Sequence, residues 1–277
     1  MSELLLEVDH LVVEYPLKGW RRRAFRALDD VSLDIRPGET VGLVGESGSG
    51  KTTLGRAVLG LAPVSGGAVR FGGCDLTRLP RRERRHLASR IQVVFQDPYS
   101  SLNPALTIEQ ILVEPLTAQR VPRAEATARV RRLLDQVQLP ADAGARLPRE
   151  FSGGQRQRIA IARALALRPG LVVCDEAVSA LDLSTQARVL TLLQELQETT
   201  GVAYLFISHD LAVVRRLSHR VAVMHRGRIV EWGTAERVTT RPTDPYTRRL
   251  LLSVPVPDPL EQRRRREERA RLVTPES

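Results

Sequence analysis

Residues 41–53, Val41-Gly42-Leu43-Val44-Gly45-Glu46-Ser47-Gly48-Ser49-Gly50-Lys51-Thr52-Thr53, decide the fold. A short apolar run at 40–44 reads as a buried strand. A glycine-rich turn follows it, and then a helical pattern from about 51 to 61 that stops before Pro63. Gly45 to Thr52 fits G-x-x-x-x-G-K-[ST], and it has the strand before and the helix after that this pattern needs. Glycines let successive backbone N–H groups turn inward around an anion, and a helix N-terminus adds partial positive charge. The pattern assigns Lys51 to terminal phosphates and the Thr52 hydroxyl to a divalent cation. Lysine is scarce here: Lys18 and Lys51 are the only two, while arginine supplies nearly all the cations. Keeping lysine at 51 points to a site that needs a compact ammonium instead of a planar fork.

Working outward, other apolar runs end in distinctive polar groups. The run 91–95 leads into Gln96, 171–174 into Asp175-Glu176, and 202–207 into Ser208-His209. Helical patterns separate these strands, at about 108–116, 125–139, 155–167 and 184–199. Ala126, Val130, Leu133, Leu134 and Val137 share one helical face. Alternating strands and helices predict a parallel sheet covered on both faces, with ligands bound beyond the carboxyl ends of its strands. Half-buried antiparallel strands are expected at 4–15 and 31–35, with an exposed basic loop at 18–26. A hairpin is expected at 221–232, around Arg226-Gly227. Beyond Gly233, composition predicts only a proline- and arginine-rich linker, and 258–277 a solvated tail or frayed helix. The fold class is therefore α/β: a phosphate-loop core, an N-terminal antiparallel β subdomain and an inserted α-helical block.

Two acids at the end of a buried strand gain meaning beside a phosphate loop. Asp175 is placed to hold Mg²⁺ through water and Glu176 to polarise an attacking water. Phe151-Ser152-Gly153-Gly154-Gln155 opens a helix and offers a hydroxyl and free N–H groups, a second anion site or a plain N-cap. His209 reads as a rim residue by its place at a strand end, whereas His10, His86, His219 and His225 read as surface.

The phosphate loop, Gln96, Ser152-Gly153-Gly154-Gln155, Asp175-Glu176, Ser179-Ala180-Leu181-Asp182 and His209 stand in one order and spacing. As a set over residues 4–235, they resemble the ATPase subunits of ABC transporters. The resemblance implies ATP and Mg²⁺ as cofactors and a head-to-tail dimer enclosing two ATP molecules. It implies that Ser152, Gly153 and Gly154, with Gln155, touch the γ-phosphate of the partner's ATP. Gln96 senses Mg²⁺ and the transmembrane subunit, Asp182 contacts the dimer partner, and His209 contacts the γ-phosphate and orients the water. An aromatic ring stacks on adenine: Tyr15 is its expected source, with Trp20 and Phe25 as rivals. Residues 1–235 are expected to form the nucleotide-binding domain, with a helical subdomain at about 97–153.

Two stretches narrow the resemblance to the oligopeptide/dipeptide and nickel importer group. One is Val94-Phe95-Gln96-Asp97-Pro98-Tyr99-Ser100-Ser101-Leu102-Asn103-Pro104. The other is Arg241-Pro242-Thr243-Asp244-Pro245-Tyr246-Thr247, followed by Leu250-Leu251 and Pro255-Val256-Pro257-Asp258-Pro259. They mark 236–277 as that group's C-terminal extension with a basic tail. Departures are Phe151 where leucine is usual and Ala177 where proline follows the glutamate. The second bears on turnover rate, since a missing proline ring relaxes the backbone after Glu176. No cysteine follows Cys174, which excludes the iron–sulfur centre some members carry there.

Composition agrees with this. Hydrophobic residues at 42% and charged residues at 27% are globular usage, and 277 residues suffice for one large domain with an appendage. No apolar run reaches membrane-span length, since 159–174 is broken by Arg163, Arg168 and Pro169. Glu3, Glu7 and Asp9 stand where a leader would be apolar, and two unrelated cysteines fit a reducing cytosol. The formal charge of +10 admits a nucleic-acid partner or an anionic membrane. The arginines scatter without interleaved aromatics, though, and read as solvated faces, as does Arg263 to Arg266. The expected partners are a second ATPase subunit, identical or paralogous, two permease subunits at the cytoplasmic face of a membrane and, indirectly, an extracytoplasmic solute-binding protein. Nucleic acid is not expected. A nickel or other solute importer ATPase, an exporter ATPase and a soluble nucleic-acid-directed ATPase are the competing readings.

Overall fold

The computed structural model describes residues 4–16, 24–77, 79–80, 83, 87–97, 101–253 and 263–264. Trp20 and the run's Arg265 and Arg266 lie outside the described residues, as do His86, Pro98 to Ser100, and Pro255 to Pro259.

Among the described residues the chain runs through ten strands: β1 (Leu6–Pro16), β2 (Ala24–Ile35), β3 (Thr40–Val44), β4 (Val64–Phe71), β5 (Cys74–Asp75), β6 (Ile91–Val94), β7 (Leu171–Asp175), β8 (Ala203–Ser208), β9 (Arg220–His225) and β10 (Arg228–Thr234). The helices are α1 (Lys51–Val58), α2 (Ile108–Ala118), α3 (Arg123–Gln136), α4 (Gly153–Leu165), α5 (Leu183–Thr200), α6 (Leu211–Leu217), α7 (Ala235–Thr240) and α8 (Pro245–Leu252).

The strands form two sheets. An antiparallel one has the order β2-β1-β4-β5, and a six-stranded one has the order β10-β9-β3-β8-β7-β6. In the larger sheet, β9, β3, β8, β7 and β6 run parallel and only β10 is antiparallel. The expected α/β class with an antiparallel subdomain is therefore what the chain adopts.

Period-two alternation explains how one sheet serves two cores. Leu171, Val173, Ala203, Leu205 and Ile207 face a core shared with α1 and the antiparallel sheet. Val172, Cys174, Tyr204 and Phe206 face the opposite core, packed by α2 to α6. Both faces are covered, so these strands carry unbroken apolar runs.

Three differences from expectation have physical causes. The strand expected at 31–35 begins at Ala24 and pairs along most of β1, with three register irregularities that blur the alternation. Strand β4 is an addition to the expected elements; Gly66-Gly67 interrupts its alternation. It pairs with β1 on the side away from β2. Residues 235–252, expected as a linker, form two capped helices. Thr234 caps α7, and Asp244 caps α8 with Pro245 in its first turn.

Arg220 joins the two sheets. Its Nε and Nη2 donate to the two carboxylate oxygens of Glu39 at 2.6 and 2.8 Å, and Nη2 donates to Asp34 Oδ2, on β2, at 2.7 Å. The guanidinium also lies over the Trp232 ring at 4.6 Å. Its side chain is 16% exposed and that of Glu39 is 10%. Bonds from Glu39 hold the Arg220 pKa above its already high ordinary value, against burial, with Asp34 adding to them. Removing one member of a buried pair strands the other. Arg220→Met, which keeps the apolar stem, is therefore expected to cost about 3 kcal/mol in urea unfolding. A loss within about 0.5 kcal/mol, the usual range for an exposed position, would show that this network is not structural.

Candidate functional site

Strand register brings the site together. Val44 pairs with Ser208, Asp175 with Ile207, and Val94 with Cys174. The carboxyl ends of β3, β8, β7 and β6 are thus level to within about two residues, each neighbouring pair to within one. The segments after them, with the phosphate loop, Gln96, Asp175-Glu176 and His209, leave from one rim, as the strand endings predict.

The loop itself is tightly built. Lys51 is 5% exposed, and its Nζ donates to the carbonyls of Gly45 at 2.7 Å and Glu46 at 2.8 Å. Burial pulls the Lys51 pKa down, opposed by the charges of Glu176, Asp175 and Glu46. Gly45 is obligatory for lack of space: a Cβ there would sit 2.2 Å from the Met224 carbonyl oxygen. The β9–β10 turn supports the loop from beneath, where the Gly227 N–H donates to Ser49 O at 2.9 Å.

Across the rim, Thr52 Oγ1 donates to Asp175 Oδ1 at 3.3 Å. Burial raises the Asp175 pKa; the Thr52 bond and the Arg56 and Lys51 charges oppose it, and Glu176 reinforces it. A hydroxyl beside one carboxylate is a hard-oxygen pair suited to Mg²⁺, which keeps several waters and takes phosphate oxygens for the rest. Among the described residues no cluster of three or more His, Cys, Asp or Glu could hold a metal by itself.

Glu176 and His209 face one another, with Oε1 and Nδ1 3.5 Å apart. Glu176 has φ 51°, the left-handed region that non-glycine residues avoid. Its N–H donates to Ile207 O at 3.0 Å, and its carbonyl accepts from the Ser179 N–H and Oγ at 3.1 and 2.9 Å. These bonds hold it there with Ala177 buried behind it. Gln96 stands exposed beyond β6. Cys174, buried beneath Asp175, has its thiol pushed up to about 12, chiefly by burial, and is no nucleophile.

Ser152, Gly153, Gly154 and Gln155 start α4. Ser152 Oγ accepts from the Gln155 N–H at 3.3 Å, and Gln155 Oε1 accepts from the Ser152 N–H at 2.9 Å, a capping box. Gly154 is required by packing, since a Cβ there would lie 2.2 Å from Thr185 Cγ2 on α5. Asp182 caps α5, accepting from the Ser184 and Thr185 N–H groups at 3.1 and 3.0 Å. Bonds from Thr185, then Ser184, hold its carboxyl well below the carboxylate range.

Of the two candidate rings among the described residues, Phe25 is the one that lines the phosphate-loop cavity. It lines a cavity of about 250 Å³ with Ser47, Gly48, Lys51, Thr52, Thr53 and Glu176, and is 55% exposed. Tyr15 is its cross-strand partner and packs, partly buried, against the core. His225, expected at the surface, is partly buried and stacks on Tyr246 at 4.0 Å and 14°. Tyr246 Oη accepts the Glu46 N–H at 2.9 Å, a phosphate-loop contact that sequence reasoning missed.

A glycine-rich loop between strand and helix, on a sheet with both faces covered, defines a phosphate-loop NTPase core. The sequence model of the ABC transporter family matches residues 28–179. The chain is 51% identical over 272 residues to the glutathione import ATP-binding protein GsiA of Pectobacterium atrosepticum, covering 96% of this chain and 43% of that protein. It therefore spans under half of that relative's length. It is also 51% identical over 256 residues to a Brucella ovis protein provisionally named a peptide import ATP-binding protein, covering 92% of this chain and 80% of that one. Among solved structures, cbiO1 from Clostridium perfringens, part of the ABC transporter complex cbiONQ, superposes with TM-score 0.78 at 26% identity, over 86% of this chain and 92% of that one. The ATP-binding cassette MJ0796, a dimer in a post-hydrolysis state bound to ADP and Pi, gives 0.73 at 28%, over 83% and 98%. The chain belongs to the ABC transporter family.

Because burial raises the Asp175 pKa, folding stability falls as pH rises from the ordinary carboxylate value to the raised folded one, and the full cost of keeping the charged form buried is present at neutral pH. Asp175→Asn is expected to raise the thermal midpoint at pH 7. A lower midpoint than the parent's would show that the attraction to Lys51 outweighs burial.

Proposed function

We propose that the chain is the ATP-hydrolysing subunit of an ABC importer for peptides, working at the cytoplasmic face of a membrane as a head-to-tail dimer with an identical or paralogous ATPase. The carrying observation is the rim itself, where Thr52 lies 3.3 Å from Asp175 and Glu176 3.5 Å from His209 beside the phosphate loop. The 51% identity to import ATP-binding proteins supports the importer direction, and peptides as the solute class. No helix among the described residues is long and apolar enough to cross a membrane. Two permease subunits, and a solute-binding protein acting through them, complete the assembly.

In this reading the backbone N–H groups of Gly48 to Thr53 surround the β- and γ-phosphates of ATP, and Lys51 gives up its carbonyl partners for them. Thr52 and Asp175, with Gln96 at the rim, would hold Mg²⁺, which neutralises phosphate charge. Glu176 accepts the proton of the attacking water, and His209 holds that water and the γ-phosphate in line. Phe25 or Tyr15 stacks on the adenine. Ser152, Gly153, Gly154 and Gln155, with Asp182, serve the partner's nucleotide. Residues 236–277 form the importer-type extension to the 1–235 nucleotide-binding domain.

Glu176→Gln keeps the shape and removes the base. ATP turnover is expected to fall by about 10²-fold or more, while gel filtration with Mg·ATP shows accumulated dimer. Equal steady-state rates for variant and parent would remove Glu176 from the reaction.

A further inference from the structure

The extension after β10 forms a rigid post ending on the phosphate loop. Its anchor is Glu231 on β10, only 4% exposed. That carboxylate accepts from the Thr243 N–H and Oγ1 at 2.9 and 3.0 Å, and from the Asp244 N–H at 3.3 Å. Burial opposes its charge, yet the bonds from Thr243 and Asp244 help to hold its pKa below the ordinary value. The turn before α8 is thereby pinned to the sheet. Asp244 then caps α8, accepting from the Tyr246 and Thr247 N–H groups at 2.8 and 3.2 Å. This fixes the direction of the first turn, and with it the Tyr246 ring.

The ring is clamped between two partners. His225, at the end of β9, stacks on it at 4.0 Å, and the Arg249 guanidinium lies 5.5 Å from its centroid. Tyr246 is 6% exposed, so its hydroxyl has one well-defined position, and there it takes the N–H of Glu46. Glu46 follows Gly45, the glycine pressed against the carbonyl of Met224, next to His225. The loop's first residues are therefore fixed on one side by β9 and on the other by the extension. Burial keeps the phenol neutral, and a neutral oxygen accepts one N–H without drawing the loop's other N–H groups toward it.

We infer that Tyr246 is a positioning residue for nucleotide binding: its hydroxyl presets the first turn of the phosphate loop, making ATP affinity depend on the docked extension. The inference rests on the ATPase reading above. A loop already in its binding shape spends less binding energy on ordering. Losing this one hydrogen bond should therefore appear as weaker affinity and leave the chemical step, carried by Glu176 and His209, alone.

The test uses the full chain. Tyr246→Phe removes the hydroxyl and keeps the stacked ring. The expected result is a KM for Mg·ATP raised about fivefold with kcat within about twofold. The Kd for a non-hydrolysable ATP analogue should rise in parallel. Amide hydrogen exchange should quicken at Glu46 and stay unchanged at Gly227, whose bond to Ser49 does not involve the extension. A merely structural role would instead lower the thermal midpoint and leave the KM-to-kcat split and local exchange alone. Unchanged affinity and Glu46 exchange, with the parent binding Mg·ATP normally, overturn the inference. A parent that fails to bind Mg·ATP overturns the ATPase reading beneath it.

Discussion

The site depends on backbone pairing between parallel strands. Four strands far apart in sequence end within about two residues of each other because their hydrogen-bond ladders fix Val44 to Ser208, Asp175 to Ile207 and Val94 to Cys174. A slip of one residue would turn every alternating side chain to the wrong core, so burial on both faces locks the register. No side chain in the site has to create this convergence. The side chains occupy positions that the two cores have already set.

What it costs to hold charge at that rim is visible in two groups. Burial works against the ammonium of Lys51 and against the carboxylate of Asp175, and each is only partly compensated by the other. Glu176 adds a left-handed backbone, secured by hydrogen bonds at both its N–H and its carbonyl. Such groups persist where the surrounding fold over-determines them. The Arg220 network works in the other direction. Its opposite charges satisfy each other while tying the antiparallel sheet to the parallel one.

Much of this was legible in the sequence, for reasons that also explain what was not. The strand, turn and helix around Lys51 were readable because glycine spacing and apolar runs are local signals. The endings of β7 and β8 were readable because a continuous apolar run stops abruptly at a charge. Strand β4 hid because its alternation is interrupted by Gly66-Gly67, and its partner lies more than fifty residues away, at Leu6 to Val13. Tyr15 and Phe25 are cross-strand partners, a pairing between β1 and β2 that composition does not announce. In the sequence Tyr246 is one residue of the 241–247 motif. Its contact with Glu46 joins residues two hundred apart, which no local pattern encodes.

The start of α4 bears on the proposed pairing of two chains. The Ser152 hydroxyl is engaged by Gln155, and Gly154 is set by its contact with Thr185, so both residues already have structural duties. What remains for an anion is the helix end itself: the N–H groups of Gly153 and Gly154, which the capping box leaves unpaired by main-chain geometry. Ser152 is exposed there, on a helix entered from a different part of the chain than the phosphate loop. A helix end with spare donors stabilises a phosphate only if one is delivered to it, and the chain's own phosphate loop serves a different helix, α1. Two anion-receptive helix ends on one protomer can meet on the same triphosphate if a second protomer turns its α4 toward the first one's loop. The head-to-tail pairing is thus the arrangement in which both features act on one ligand.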